Sequence, residues 1–100
     1  MKGKRYTVIL QPEQVGYSVS CPAIRGAVSQ GDSLDEALAN IREAAEGILE
    51  MLHEGGKRMP RETPSAVAAE IRTILLERHQ DGLPLTIQTQ EIEVLTGVPA

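Results

Sequence analysis

Residues 16–38 have the sequence GYSVSCPAIRGAVSQGDSLDEAL and contain two short strand patterns, two turns marked by glycine and a helix start. Apolar side chains alternate with serines in the first six residues, which is the period of a strand with one buried face. Pro22 and Gly26 bracket a connection to a further short strand over residues 27–30, and a Gly-Asp-Ser turn at residues 31–33 ends that strand. We expect these two strands to pair with each other.

The helix that follows has the clearest start signal in the chain. Ser33 and Glu36 have the S-x-x-E spacing of a capping box, in which each residue bonds a free backbone N–H of the other. Apolar residues then recur at three- and four-residue steps until Gly55-Gly56, and this stripe consists of Leu34, Leu38, Ile41, Ala45, Ile48 and Leu52. The pattern predicts about 21 helical residues, roughly 31 Å in length. We expect the intervening acids to face solvent, namely Glu43, Glu46, Glu50 and Glu54.

The flanking segments complete an α+β pattern. A strand precedes residue 16, with Tyr6, Val8 and Leu10 on one face and the mixed pair Thr7 and Ile9 on the other. Residues 57–64 contain two prolines and form a linker. A second helix follows as far as Asp81-Gly82, and its predicted inner face consists of Val67, Ala68, Ile71, Ile74 and Leu75. The apolar parity then changes near Gln90-Glu91, which leaves open a bulge, a bend or pairing with two different neighbours.

One domain of residues 1–100 accounts for these segments, with a core over residues 5–64 and a C-terminal helix and strand extension over residues 65–97. The predicted fold class is α+β. It consists of an antiparallel sheet of three or four strands in the order β-β-β-α-α-β, with the long helix packed on one face. We expect the second helix to lie beside the long one.

The composition limits the function classes. The chain has 100 residues, a net charge of −4 and only two aromatic residues, so its core is aliphatic and it has no aromatic platform for stacking bases. One cysteine cannot form an internal disulfide, and the sequence contains neither a signal peptide nor a long apolar run. We therefore expect a cytoplasmic protein without a membrane partner.

No catalytic, metal-binding or cofactor-binding residues are predicted. Cys21 lies in a strand rather than at a helix N-terminus, so we interpret it as a buried structural thiol. His53 and His79 each fall near the end of a helix, where an imidazole suits the helix dipole. The linker cations Lys57, Arg58 and Arg61 are candidates for a weak nucleic-acid contact.

The glycine and serine positions of residues 16–38 resemble the HicB antitoxin family, and the similarity extends over about residues 5–64. The matching positions are Gly16, Tyr17, Pro22, Ile24, Gly26, Ser29, Gly31, Asp32, Ser33, Asp35, Glu36 and Ala37. The resemblance implies a β-β-β-α-β core and a HicA toxin partner, a small messenger-RNA ribonuclease whose site the antitoxin masks. It also implies that candidates for the partner-binding surface are Gly16, Tyr17, Pro22, Gly26, Ser29, Gly31, Asp32, Ser33 and Glu36.

Residues 65–100 depart from the family members that carry a C-terminal DNA-binding module, because one helix and an extended tail do not make a helix-turn-helix. This departure argues against specific DNA binding. We expect a small basic toxin as partner, since an acidic surface orients a cationic one. We also expect a homodimer or homotetramer, in which the tail strand reaches a second copy. The alternatives are an oligomeric protein without a toxin, a DNA-binding autorepressor, and a ribonuclease H-like nuclease, against which the missing carboxylate cluster argues.

Overall fold

Four antiparallel strands and two helices make up the fold, in a computed structural model that describes residues 2–96. The elements are β1 (Lys2–Pro12), β2 (Tyr17–Ser20), β3 (Val28–Gly31), α1 (Leu34–Glu54), α2 (Pro64–Gln80) and β4 (Gln88–Thr96). The strands lie in the order β3-β2-β1-β4, and all neighbours are antiparallel. The predicted class and element order are confirmed, while β3 begins and ends one residue later than expected. Residue 97, the end of the predicted extension, lies outside the described residues.

The main core lies between α1 and one face of the sheet. Tyr6, Val8 and Leu10 of β1 alternate toward this face and belong to one buried cluster with the helix. The most buried row of α1 is Ala37, Ile41, Ala45 and Leu49. The larger residues of the predicted stripe flank this row and are partly buried, namely Leu34, Leu38, Ile48 and Leu52. The two alanines of the row let the helix approach the sheet closely, and the longer side chains fill the space on either side.

Side chains of α1 also bond the backbone at both outer edges of the sheet. Asn40 Nδ2 donates to the Gln30 carbonyl oxygen of β3 at 2.7 Å. On the other edge, Arg42 Nε donates to the carbonyl oxygen of Glu93 at 3.2 Å, and Glu46 Oε2 accepts from the amide of Leu95 at 2.9 Å. These bonds occupy groups that an edge strand otherwise offers to another chain. The prediction that Glu46 only faces solvent is wrong.

The linker between the helices crosses the sheet beside β1. Tyr6 donates its hydroxyl proton to the carbonyl oxygen of Pro60 at 2.8 Å. The Glu62 carboxylate then accepts from the Thr7 amide at 2.5 Å and from Thr7 Oγ1 at 2.9 Å. Pairing of β2 with β1 stops at Ile9, so Thr7 has no strand partner on that side and the carboxylate satisfies its N–H. The chain thus passes from the α1 face to the opposite face.

Helix α2 lies on this opposite face, so the prediction that it lies beside α1 is wrong. Its buried residues are Ile74 and Arg78. Arg78 donates to the carbonyl oxygens of Pro84 and Pro12, at 2.6 and 3.4 Å, and to the side chain of Gln11 at 3.4 Å. Ile9, which shares its sheet face with Gln11, is fully buried. The predicted inner face is also partly wrong, because Ala68 is exposed and Arg78, a cation, is buried instead.

Strand β4 begins at Gln88 and pairs without interruption with β1, from Gln88 opposite Leu10 to Thr96 opposite Lys2. The apolar residues before the change of parity, Leu85 and Ile87, precede the strand. The change therefore reflects neither a bulge in β4 nor pairing with two different neighbours. Ile92 and Val94 are buried, whereas Leu85 is exposed. This strand completes the sheet of its own chain as an edge strand, and its pairing with a second copy stays a prediction.

Candidate partner-binding surface

Two glycines of the 16–38 segment pack the ends of β2 and β3 against the start of α1. Gly16 has a φ of +74°, and a Cβ at this position would lie 2.7 Å from the Asp32 Cα. A Cβ on Gly31 would lie 2.7 Å from the Ala37 Cα in the first turn of α1. Both distances are too short for non-bonded carbon atoms. These residues therefore shape the corner of the fold, and Gly31 is buried away from any partner.

Of the other residues that carry the resemblance, some support the fold and others are exposed on the surface. Ser33 Oγ accepts from the Glu36 amide at 3.1 Å, which is the serine half of the predicted capping box. Tyr17 packs against the core, and Pro22 and Ser29 are half-buried. The exposed members of the set are Gly26, Asp32, Ser33, Asp35 and Glu36. The set thus includes buried, half-buried and exposed positions, and only its exposed members are available to a partner.

Cys21 is buried, as predicted from its place in the sequence. Burial raises the pKa of its thiol to about 11, and hydrogen bonds from the backbone of Ile24 and Ala23 offset this only in part. The thiolate is the nucleophilic form of cysteine, so this side chain is unreactive near neutral pH. Within residues 2–96, no three histidine, cysteine or acidic side chains lie together in a way that could hold a metal ion.

The three linker cations are exposed, and carboxylates lie close to the most C-terminal of them, Arg61. Arg61 lies with Lys4 and Arg5 around a shallow groove of about 300 Å³, and Glu62 lines the same groove. Arg5 lies 4.0 Å from Glu91 and 3.8 Å from Glu93, which places further carboxylates beside it. The remaining two, Lys57 and Arg58, are outside the lining of this groove. Mixed charge gives nucleic-acid phosphates little net attraction here.

A row of carboxylates runs along the exposed side of α1, and we call it the acidic row. It consists of Glu36, Glu43, Glu50 and Glu54, all exposed. The first three are spaced seven residues apart, so successive members point in directions that differ by only about 20°. The row extends for roughly 27 Å at 1.5 Å per residue. Among residues 2–96 the ion pairs are those of Arg5, so no cation of the described chain neutralises this row. The heptad spacing was the signal available in the sequence.

No helix within residues 2–96 combines the length and the low polarity that crossing a bilayer requires.

A family model described as the HicB-like antitoxin of bacterial toxin–antitoxin systems matches residues 6–79. The chain belongs to the HicB-like antitoxin family. It is 43% identical over 58 residues to a UPF0150 protein of Synechocystis sp., with 57% of this chain and 73% of that protein covered. It is 39% identical over 61 residues to antitoxin HicB 1 of Photorhabdus laumondii, with 60% of this chain but only 39% of that antitoxin covered.

The fold of this HicB-like protein is also similar to a solved structure described as a toxin–antitoxin complex from Streptococcus pneumoniae. The TM-score is 0.72 at 17% sequence identity, and the match covers 93% of this chain and 69% of that chain. At this level of identity the similarity shows that the two chains share a fold. The sheet and the two helices of this protein are therefore arranged as in a known toxin–antitoxin component.

Proposed function

We propose that this HicB-like protein is a cytoplasmic antitoxin that acts by binding, without catalysis, and that it masks a small basic HicA-type messenger-RNA ribonuclease. The acidic row on α1 is the observation that carries the proposal. A ribonuclease needs a cationic surface to hold the phosphate backbone of its substrate. An exposed row of carboxylates without internal partners is complementary to such a surface and competes with RNA for it.

Two of the alternatives, a nuclease and a DNA-binding autorepressor, have less support from the described residues. A nuclease of this kind needs a cluster of carboxylates. The two carboxylates of β4, Glu91 and Glu93, lie beside Arg5 on an exposed sheet face instead. Residues 64–96 contain one helix and one strand, whereas a helix-turn-helix reader places two successive helices on DNA. A HicB-like protein that works without a toxin remains the alternative that the experiment below tests.

The proposal predicts that a HicA-type toxin is encoded beside this protein, and that an equimolar amount of this protein stops messenger-RNA cleavage by that toxin. The double variant Glu43→Lys and Glu50→Lys is expected to need at least tenfold more protein, because it replaces attraction by repulsion at the centre of the row. Cleavage is measured by gel electrophoresis at about 0.15 M salt, the physiological ionic strength.

The matched control is Glu70→Lys with Glu77→Lys, which makes the same charge change on α2. Inhibition by this control should equal that of the wild type. Undiminished cleavage at a severalfold molar excess of wild-type protein contradicts the proposal. RNA cleavage by this protein alone, with magnesium present, contradicts the statement that it acts without catalysis.

We also propose a homodimer through the outer face of α2. A groove of about 460 Å³ on this face is lined by Ala68, Ile71, Arg72, Leu75, Leu76 and His79. Leu76 remains 57% exposed, which is a large apolar side chain in water. The lining contains Arg72 and His79 and no carboxylate, so it does not attract a cationic toxin. Its other side chains are apolar, and the same face of a second copy would cover them in a two-fold dimer.

Light scattering of the wild type at tens of micromolar is expected to give the mass of a dimer, and Leu76→Glu is expected to give a monomer. Val15→Glu is the control, since Val15 is 73% exposed in the turn after β1 and is not among the residues that line the α2 groove. A monomeric wild type contradicts the homodimer. A tetramer that Leu76→Glu converts to a dimer shows that this face forms one of two interfaces, whereas an unchanged mass in this variant rejects the face.

A further inference from the structure

A groove of about 480 Å³ runs along α1 beside the acidic row, on the side that faces β3. Its helix residues include Asn40, Ala44, Gly47 and Met51, which follow one another at four-, three- and four-residue steps. Such steps place residues on one line of a helix. Glu43 belongs to both the acidic row and the lining of the groove. An apolar line and an acidic line therefore run in parallel on the exposed side of one helix.

Gly47 has no explanation within the chain. It lies in the interior of a 21-residue helix, where glycine costs about 0.8–1.0 kcal/mol relative to alanine. A Cβ at this position would meet no atom within 4 Å, and its φ is not positive. The fold thus requires glycine at Gly16 and Gly31, but not here. Nothing among the described residues requires glycine at position 47, and its missing side chain leaves room for the backbone of a partner to come close to the helix.

Met51 supports this explanation. Its side chain is 71% exposed and stands one helical turn beyond Gly47 along the same line. Methionine is flexible and polarisable, and it is frequent where a surface adapts to a partner. Ile48, half-buried, contributes apolar surface to the same groove. The groove thus offers a partner a shallow apolar surface, in which the partner can approach closely at Gly47 and Met51 can adapt its side chain to it.

We propose that an amphipathic basic helix of the toxin docks along this groove, and this inference rests on the proposed function. Its apolar side chains pack over Ala44, Gly47 and Met51, and its lysine or arginine side chains lie over Glu43 and Glu50. The glycine permits an interaxial distance near the lower end of the 8–10 Å range of packed helices. The α1 groove has Glu43 in its lining, whereas the groove on α2 is lined by Arg72 and His79. A basic helix is therefore attracted to the α1 groove and not to the α2 groove.

The test compares Gly47→Leu with wild type by calorimetric titration against a catalytically inactive toxin. We expect Gly47→Leu to weaken the affinity at least tenfold, because the new side chain occupies the space of the partner helix. The thermal unfolding midpoint should stay equal or rise, since leucine is a better helix former than glycine and meets nothing in the fold. Met51→Glu is a second variant with the same expected loss of affinity, and Met51→Leu should retain binding.

Ala66→Leu is the control for size, because it adds nearly the same bulk at an exposed position of α2 and should leave the affinity within about twofold. Wild-type affinity in both Gly47→Leu and Met51→Glu overturns the groove while the antitoxin proposal stands. Absence of binding by the wild type overturns both. A fall in the unfolding midpoint of Gly47→Leu would show that the glycine serves the fold, and it would overturn the inference from Gly47.

Discussion

Gly31→Ala is expected to lower the free energy of unfolding by about 3 kcal/mol, at the upper end of the cost of overpacking a closed site. A methyl group on Gly31 would press against the backbone of Ala37 and lie 2.7 Å from the Glu36 carbonyl carbon. Backbone atoms in the first turn of a capped helix cannot move aside as a flexible side chain does. Gly16→Ala should cost at least as much, because it combines a similar clash with a positive φ.

Urea unfolding followed by circular dichroism measures the change in the free energy of unfolding for both variants. In thermal unfolding, the melting midpoint of Gly31→Ala should fall by roughly 12–24 °C. Gly56→Ala separates the two causes, since Gly56 has a φ of +70° and a Cβ there would meet nothing within 4 Å. Backbone strain alone should cost this variant about 1 kcal/mol. Equal losses in Gly31→Ala and Gly56→Ala would contradict the close approach of β3 to α1.

The free energy of unfolding is expected to decrease by about 2 kcal/mol between pH 9 and pH 11 because of Cys21. Burial raises the pKa of this thiol from 9.0 to about 11 in the folded protein. As the pH rises past 9, the unfolded thiol loses its proton while the folded thiol keeps it. The folded state then binds more protons than the unfolded state, so its stability falls with rising pH. Well below pH 9 the thiol is protonated in both states, and its full contribution to stability is present.

The difference between wild type and Cys21→Ala isolates this effect. Urea unfolding at a series of pH values from 7 to 11 should show a steeper decrease for the wild type. Burial also raises the pKa of Tyr6, which adds a decrease in the same direction to both proteins. Parallel curves would contradict the buried thiol, as would rapid reaction of native protein with a thiol reagent at pH 8.

Local signals in the sequence were sufficient for the order of elements. The serine alternation of β2, the Ser33 cap and the Gly55-Gly56 stop depend on residues within a few positions of one another, and such signals act before distant parts of the chain meet. Cys21 was predicted to be buried for the same reason, because it falls on the apolar side of a strand. The glycines of the 16–38 segment were identified as turn markers, but their backbone contacts required the assembled corner.

The partners of polar side chains were decided only by the tertiary structure. Glu62 and Thr7 are 55 residues apart, and Glu46 and Leu95 are 49 apart, so no local pattern could predict their bonds. The burial of Arg78 and the position of α2 likewise follow from where the linker crosses β1.

The candidate binding surface combines both levels. The heptad spacing of Glu36, Glu43 and Glu50 is visible in the sequence, and it aligns the acidic row on any helix. That Gly47 has no internal neighbour, and that Met51 stands in water beside it, became evident only when the rest of the chain was in place. Sequence alone therefore determined the order of the elements and the residues that α1 carries, because these depend on local periodicity and turn chemistry. The tertiary structure decided which polar groups are paired, which face α2 covers and which side of α1 stays free for a partner, because these depend on contacts between residues far apart in the chain.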